Sequence, residues 1–207
     1  MARRGSVRIV AGRWRGRRIP VPPAPGLRPT PGRLRETLFN WLGPGIEGAR
    51  VLDAFAGSGA LGLEAASRGA AFVLMLERDR RVAAHLRRQV EALGAGATVR
   101  VAAADALAWL RRPPDAAGGP FDLVFLDPPF GAGLMGPALA RLAAGGWLAP
   151  GGRVYGEQPA RAPLPELPAG WRIVRRSRAG DALGWLAEPP ASRNGPEAQA
   201  GGTLPRD

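Results

Sequence analysis

Val51-Leu52-Asp53-Ala54-Phe55-Ala56-Gly57-Ser58-Gly59-Ala60-Leu61-Gly62 is the stretch that decides the fold. It opens as a short apolar strand and passes through a glycine-rich turn into a helix reaching about Arg68. Small residues in the turn let backbone approach a ligand, and free amides at a helix start favour negative groups. Outward from this unit, strands and helices alternate. Residues 71–77, 98–102 and 121–127 read as strands. Residues 79–93 and 134–144 read as helices, with a short one from Ala106 and Asp79 as an N-cap. A fifth strand is expected at 153–157, after a turn at Pro150-Gly151-Gly152. Residues 171–178 and 183–188 read as a terminal antiparallel pair. This rhythm indicates an α/β fold with a doubly wound, mostly parallel sheet.

Acids recur where these strands end. Asp53 closes the first, Glu77 the second, Asp105 follows the third and Asp127 the fourth. Ligands of open α/β sheets bind at that edge. Gly57, Gly59 and Gly62 fit G-x-G-x-x-G, which alone suggests a dinucleotide. Asp53 argues against a pyrophosphate there and for a cofactor with an ammonium group. S-adenosylmethionine has one, together with a sulfonium. Glu77 is placed to accept ribose hydroxyls and Asp105 an adenine amino group. Ala56, Ser58, Arg78 and Ala106 border the same turns, and Thr30 is a further candidate at the cofactor.

The tetrapeptide Asp127-Pro128-Pro129-Phe130 follows the apolar run 121–126. Two prolines cannot donate ladder hydrogen bonds, so the strand must stop and the chain turn stiffly. An acceptor beside a flat ring suits a planar group carrying an NH2.

The charge is uneven. Formal net charge is +12, and all 29 basic residues are arginine. Ten arginines precede the first acid, Glu36. Residues 7–12 and 17–22 alternate apolar and polar, which predicts a basic hairpin with Trp14 near its tip. Arg13, Trp14, Arg15, Arg17 and Arg18 are candidates to clamp nucleic-acid phosphates and stack a base. Arg28, Arg33 and Arg35 are further candidates, open between nucleic-acid contact and packing beside the cofactor. Residues 33–42 read as a helix with Leu34, Leu38, Trp41 and Leu42 on one face.

Composition excludes other classes. The chain lacks cysteine and has one histidine, His85, so disulfides, thiolate nucleophiles and Cys- or His-rich metal sites are excluded. No metal is expected. His85, among arginines in a helix, reads as a surface residue. No apolar run suits a membrane span, and the basic N-terminus lacks a following apolar segment, so a cytoplasmic protein is expected. The expected division is a hairpin and linker over 1–31, a catalytic domain over 32–188 and a disordered tail over 189–207.

With these residues in place the chain resembles a known family. Asp53 to Gly59 looks like methyltransferase motif I, and Asp127-Pro128-Pro129-Phe130 like motif IV of amino-directed methyltransferases. Leu27-Arg28-Pro29-Thr30-Pro31-Gly32-Arg33-Leu34-Arg35-Glu36-Thr37-Leu38-Phe39-Asn40-Trp41-Leu42 is more specific. With Arg8-Ile9-Val10-Ala11-Gly12-Arg13-Trp14-Arg15-Gly16-Arg17, it resembles the RsmD family of bacterial 16S rRNA guanine-N2 methyltransferases. The resemblance implies a Rossmann-like class I fold with a seven-stranded sheet and an N-terminal β-hairpin. It implies S-adenosylmethionine as cofactor and methylation of a guanine (position 966) in 16S rRNA of the small ribosomal subunit. A monomer is expected. The family often has lysine where this chain has arginine, and the Tyr155-Gly156-Glu157-Gln158 and Ala182-Leu183-Gly184-Trp185 segments are less typical.

Other readings remain open on the residues alone. An Asp-Pro-Pro-aromatic site also serves adenine N6 or cytosine N4 in DNA. A glutamine-amide methyltransferase usually carries Asn at the first position. Gly57, Gly59 and Gly62 would serve an NAD-dependent oxidoreductase. A noncatalytic RNA-binding protein would not need the acids.

Overall fold

The computed structural model describes residues 5–22 and 30–190. Arg28 and most of the expected tail lie outside the described residues.

Seven strands form one sheet. In chain order they are β3 (Arg50–Asp53), β4 (Phe72–Glu77), β5 (Val99–Ala103), β6 (Phe121–Leu126), β7 (Leu148–Pro159), β8 (Arg172–Ala179) and β9 (Ala182–Glu188). Their spatial order is β5-β4-β3-β6-β7-β9-β8. Pairs from β5 through β7 are parallel, and β9 runs antiparallel to both β7 and β8. The central strands are apolar almost throughout because helices cover both faces. Those helices are α1 (Gly32–Leu42), α2 (Ala60–Ser67), α3 (Arg80–Ala92), α4 (Ala106–Trp109) and α5 (Met135–Ala144). Asp79 caps α3, accepting from the amides of Arg81 and Val82. None of the described helices is long and apolar enough to cross a membrane.

Two apolar layers fill the molecule. Leu38, Phe39, Leu63, Met75, Leu86, Phe125 and Tyr155 pack on one face of the sheet. Leu74, Phe121, Val124, Leu139, Trp147 and Trp185 pack on the other. Fully burying one such side chain contributes roughly 1.5–3 kcal/mol. The chain builds outward from β3 to β5, then returns to place β6 beside β3. This is a switch point, where a crevice opens at the strands' carboxyl ends.

Two expectations change. The turn at Pro150-Gly151-Gly152 does not precede a fifth strand; it bulges inside one. β7 pairs Leu148 with Phe121 before the bulge and Arg153 with Leu123 after it. Proline and glycine mark an irregularity in a strand as readily as its start. The N-terminal hairpin is also shorter than expected, with β1 (Ser6–Arg8) against β2 (Arg18–Pro20). Its loop continues as backbone bonds, Ile9 N–H to Arg17 O and Gly16 N–H to Ile9 O, both 2.9 Å.

That hairpin is docked. Ile9, Trp14 and Ile19 are buried in the same apolar layer as α1 and α2. The Glu64 carboxylate of α2 accepts from the Val10 and Ala11 amides at 2.8 and 3.1 Å. Ser67 accepts from the Arg13 and Trp14 amides at 2.7 and 3.0 Å. Gly12 makes this approach possible. Its φ is +80°, and a Cβ there would stand 1.7 Å from Ser67 O.

Candidate active site

A cavity of about 500 Å³ opens at the switch point. Such a volume suits a cofactor-sized ligand. The β3–α2 turn forms its floor. Gly59 precedes α2 with φ of +77°, and a Cβ there would meet Leu86 Cδ2 at 2.7 Å. Only glycine closes this turn without strain. Of the residues the sequence nominates for a cofactor, Thr30, Asp53, Ala56, Gly57, Ser58, Glu77, Arg78, Asp105 and Ala106 all line the cavity. Gly59 does not line it but closes the turn whose other residues do.

Asp53 is 1% exposed and accepts from the Gly62 amide at 3.0 Å. Burial, aided by the Asp127 and Glu77 charges, pushes its carboxyl up to about 7, although the Gly62 amide opposes this. A ligand cation would relieve that cost. Glu77 binds the turn itself, accepting from Gly57 N–H at 3.0 Å and Asp79 N–H at 2.8 Å. A carboxylate has about four acceptor sites, so capacity remains for a ligand hydroxyl. Asp105 caps α4 through the Ala108 amide at 2.8 Å and stays exposed on the rim. These capping and turn bonds explain why acids stand at these positions even without a ligand.

Asp127-Pro128-Pro129-Phe130 lines the opposite wall of the same cavity. Phe130 is 52% exposed, an unusual position for a ring that size. Burial pushes the Asp127 carboxyl up to about 7, and the Thr30 hydroxyl counters by stabilising its charged form.

One further acid belongs to this wall. Glu157 follows Gly156, which pairs with Leu126, so its register position is beside Asp127. It is 2% exposed. Burial, then the Asp127 charge, raises its carboxyl well above the ordinary range. Bonds from Tyr155 and Thr30 favour its charged form. The sequence signal was an acid ending yet another parallel strand.

The nominated RNA residues divide. Arg13, Arg15, Arg17, Arg18 and Arg33 are exposed. Trp14 is 7% exposed and packed in the core, with the Arg13 guanidinium 5.6 Å from its ring centroid. It anchors the hairpin and is not presented to a base. Arg35 is likewise inside, at 4% exposure. It donates to Arg8 O at 2.5 Å and lies 3.8 Å from Glu64, which also pairs with Arg68 at 2.8 Å. Both side chains belong to the scaffold because the hairpin lies flat on α2. His85 also holds the hairpin, its Nε2 2.8 Å from Pro20 O.

The family described as conserved hypothetical protein 95 matches residues 7–187. The chain is 47% identical over 176 residues to ribosomal RNA small subunit methyltransferase D of Escherichia coli strain K12, covering 85% of this chain and 86% of that one. It is 42% identical over 178 residues to the protein of the same name from Haemophilus influenzae, covering 86% and 91%. The solved structure of yhhF from Escherichia coli superposes with a TM-score of 0.81 at 42% identity, covering 91% of this chain and all of that one. The chain therefore belongs to the conserved hypothetical protein 95 family, the family of the ribosomal RNA small subunit methyltransferase D proteins.

Proposed function

We propose that this protein methylates the exocyclic N2 of a guanine in 16S rRNA of the small ribosomal subunit, using S-adenosylmethionine. The observation that carries the reading is one cavity shared by Asp53, Glu77 and Asp105 on one side and Asp127 to Phe130 on the other. The residues fit the cofactor. Asp53 is a buried acid with no ion-pair partner among the described residues, suited to the ammonium; Glu77 suits the ribose and Asp105 the adenine. When bound, the cofactor would supply an electrophilic methyl group, its methyl–sulfur bond breaking to leave S-adenosylhomocysteine. A dinucleotide is disfavoured because Asp53 would face its pyrophosphate. The relatives' shared name supports RNA over DNA as substrate.

The exocyclic amine of guanine is a weak nucleophile, its lone pair being delocalised into the ring. Positive charge develops on nitrogen as it attacks. Asp127 accepts from its N–H groups and stabilises that charge, helped by the Pro128 carbonyl. The methylated amine then loses one proton, which Asp127 takes. Phe130 stacks on the guanine, which must leave its own stack to enter. The exposed arginines of the hairpin hold phosphates. The protein works as a cytoplasmic monomer.

The deciding experiment is labelled-methyl transfer to small-subunit particles from cells lacking the enzyme, with mapping of the modified nucleoside. Label in N2-methylguanine is expected. Label in adenine or cytosine, or none in RNA, overturns the proposal. Asp127→Ala should nearly abolish transfer while calorimetry still detects cofactor binding.

A further inference from the structure

We infer that the edge strand β8 is a second RNA-docking surface, contacting phosphates beside the nucleotide held at Asp127. The inference rests on the RNA reading above.

β8 carries Arg172, Arg175, Arg176 and Arg178, all exposed. Regular alternation would put only every second side chain on one face. Past the register shift between Ile173 and Arg175, the consecutive Arg175 and Arg176 follow that alternation to opposite faces. After it, Arg175 pairs with Leu186, Arg176 with Trp185 and Arg178 with Leu183. Leu186 belongs to one core layer and Trp185 to the other. The strand therefore projects guanidinium groups from both faces of the sheet, around its free edge.

The register also fixes their height. Leu126, Gly156, Trp185 and Arg176 form one row across the sheet. Gln158, Leu183 and Arg178 form the row two residues further on. Asp127 lies at the level between them. Three strand spacings separate it from β8, about 14 Å. The cofactor residues occupy the other half of this edge, at the ends of β3, β4 and β5. An RNA strand entering the cavity is thus left the β7-β9-β8 side. Arg161, exposed just past β7, adds to the charge there.

Two of these five arginines already have partners in the fold. Arg172 lies 3.4 Å from Glu188 at the far end of the strand, and Arg178 donates to Gly180 O. Arg161, Arg175 and Arg176 have no carboxylate within ion-pair distance among the described residues. Asp181, in the β8–β9 turn, is the acid nearest in sequence to Arg175, Arg176 and Arg178. Protecting an edge from strand pairing needs charge, but of either sign. Arginine alone suits phosphate, which its planar fork can grip through two bonds.

The test uses that difference. Arg175→Glu/Arg176→Glu/Arg178→Glu keeps the edge charged but reverses its sign. Binding to small-subunit particles should fall at least about tenfold near 0.15 M salt. The slope of log affinity against log salt should lose roughly 0.7–0.9 for each phosphate contact removed. Cofactor affinity by calorimetry should stay within about twofold. Wild-type affinity and slope in the variant overturn the inference and leave edge protection. If the Glu variant fails to fold, the Arg→Gln triple is used, and wild-type slope there is equally fatal. A wild-type enzyme that methylates no RNA fails the parent reading instead.

Discussion

The Tyr155 hydroxyl donates to Glu157 Oε1 at 2.9 Å, and both groups are buried behind the wall that carries Asp127. This puts several acids into one low-dielectric region. Asp53, Asp127 and Glu157 all have carboxyls raised above their ordinary values. An acid whose folded pKa is raised binds its proton more tightly folded than unfolded. Its cost is fully present above the folded pKa and is relieved as pH falls through it. For Asp53 and Asp127 the window runs from about 7 down to 3.8. The protein should therefore melt at higher temperature at pH 6 than at pH 8. Glu157→Gln should flatten that trend and melt higher than wild type at pH 8. Calorimetric melting across that range decides; a wild-type melting point that rises toward pH 8 contradicts it.

Asp127 must be ionised to stabilise the developing positive charge and to take the amine's proton. With its carboxyl at about 7, turnover should fall below that pH, approaching tenfold per unit. Thr30 favours the charged form, so Thr30→Val should move the acid limb to higher pH. Its turnover should be impaired at pH 6.5 and largely recovered at pH 8.5. Equal loss at both values would mean that Thr30 acts only by packing.

Glu64 holds three elements together: the hairpin amides of Val10 and Ala11, the Arg68 guanidinium and the buried Arg35. Removing one partner of a buried pair strands the other charge, at about 3–5 kcal/mol. Glu64→Ala should lower stability by that order in urea titrations and expose residues 8–18 to limited proteolysis. Wild-type protease resistance there would show that apolar packing alone docks the hairpin.

Phe130 is exposed, so Phe130→Ala should leave the melting temperature nearly unchanged. Loss of base stacking costs roughly 1–3 kcal/mol, or about 5- to 150-fold in kcat/KM for RNA. Cofactor affinity should not move. A change confined to cofactor affinity would put the ring against the cofactor instead.

The alternation of strands, the glycine turn and the strand-end acids were legible because each rests on local pattern. The turn near Pro150 was misread because a bulge and a strand start share the same residues. Trp14 reads as an RNA contact, and Arg35 as either that or packing beside the cofactor, because sequence reports type and neighbours, and says nothing of which side a docked hairpin turns inward. Their burial depends on Glu64 and Ser67, more than 25 positions away. Glu157 lay in plain view as a strand-end acid. Its meaning needed the β6–β7 register, which is a nonlocal fact.

The crowding of uncompensated acids around one crevice has a consequence for what stays out. ATP, NAD and most other abundant adenine compounds are polyanions, and adenine and ribose alone would let them compete. Bringing a phosphate chain past Asp53 and Asp127 sets like charges together in a poorly screened space. The same field favours a small molecule with ammonium and sulfonium groups. On the proposed cofactor reading, the cost borne by those buried carboxyls acts as a filter on metabolites, and cationic adenosine analogues, not phosphorylated ones, are the compounds expected to inhibit this site.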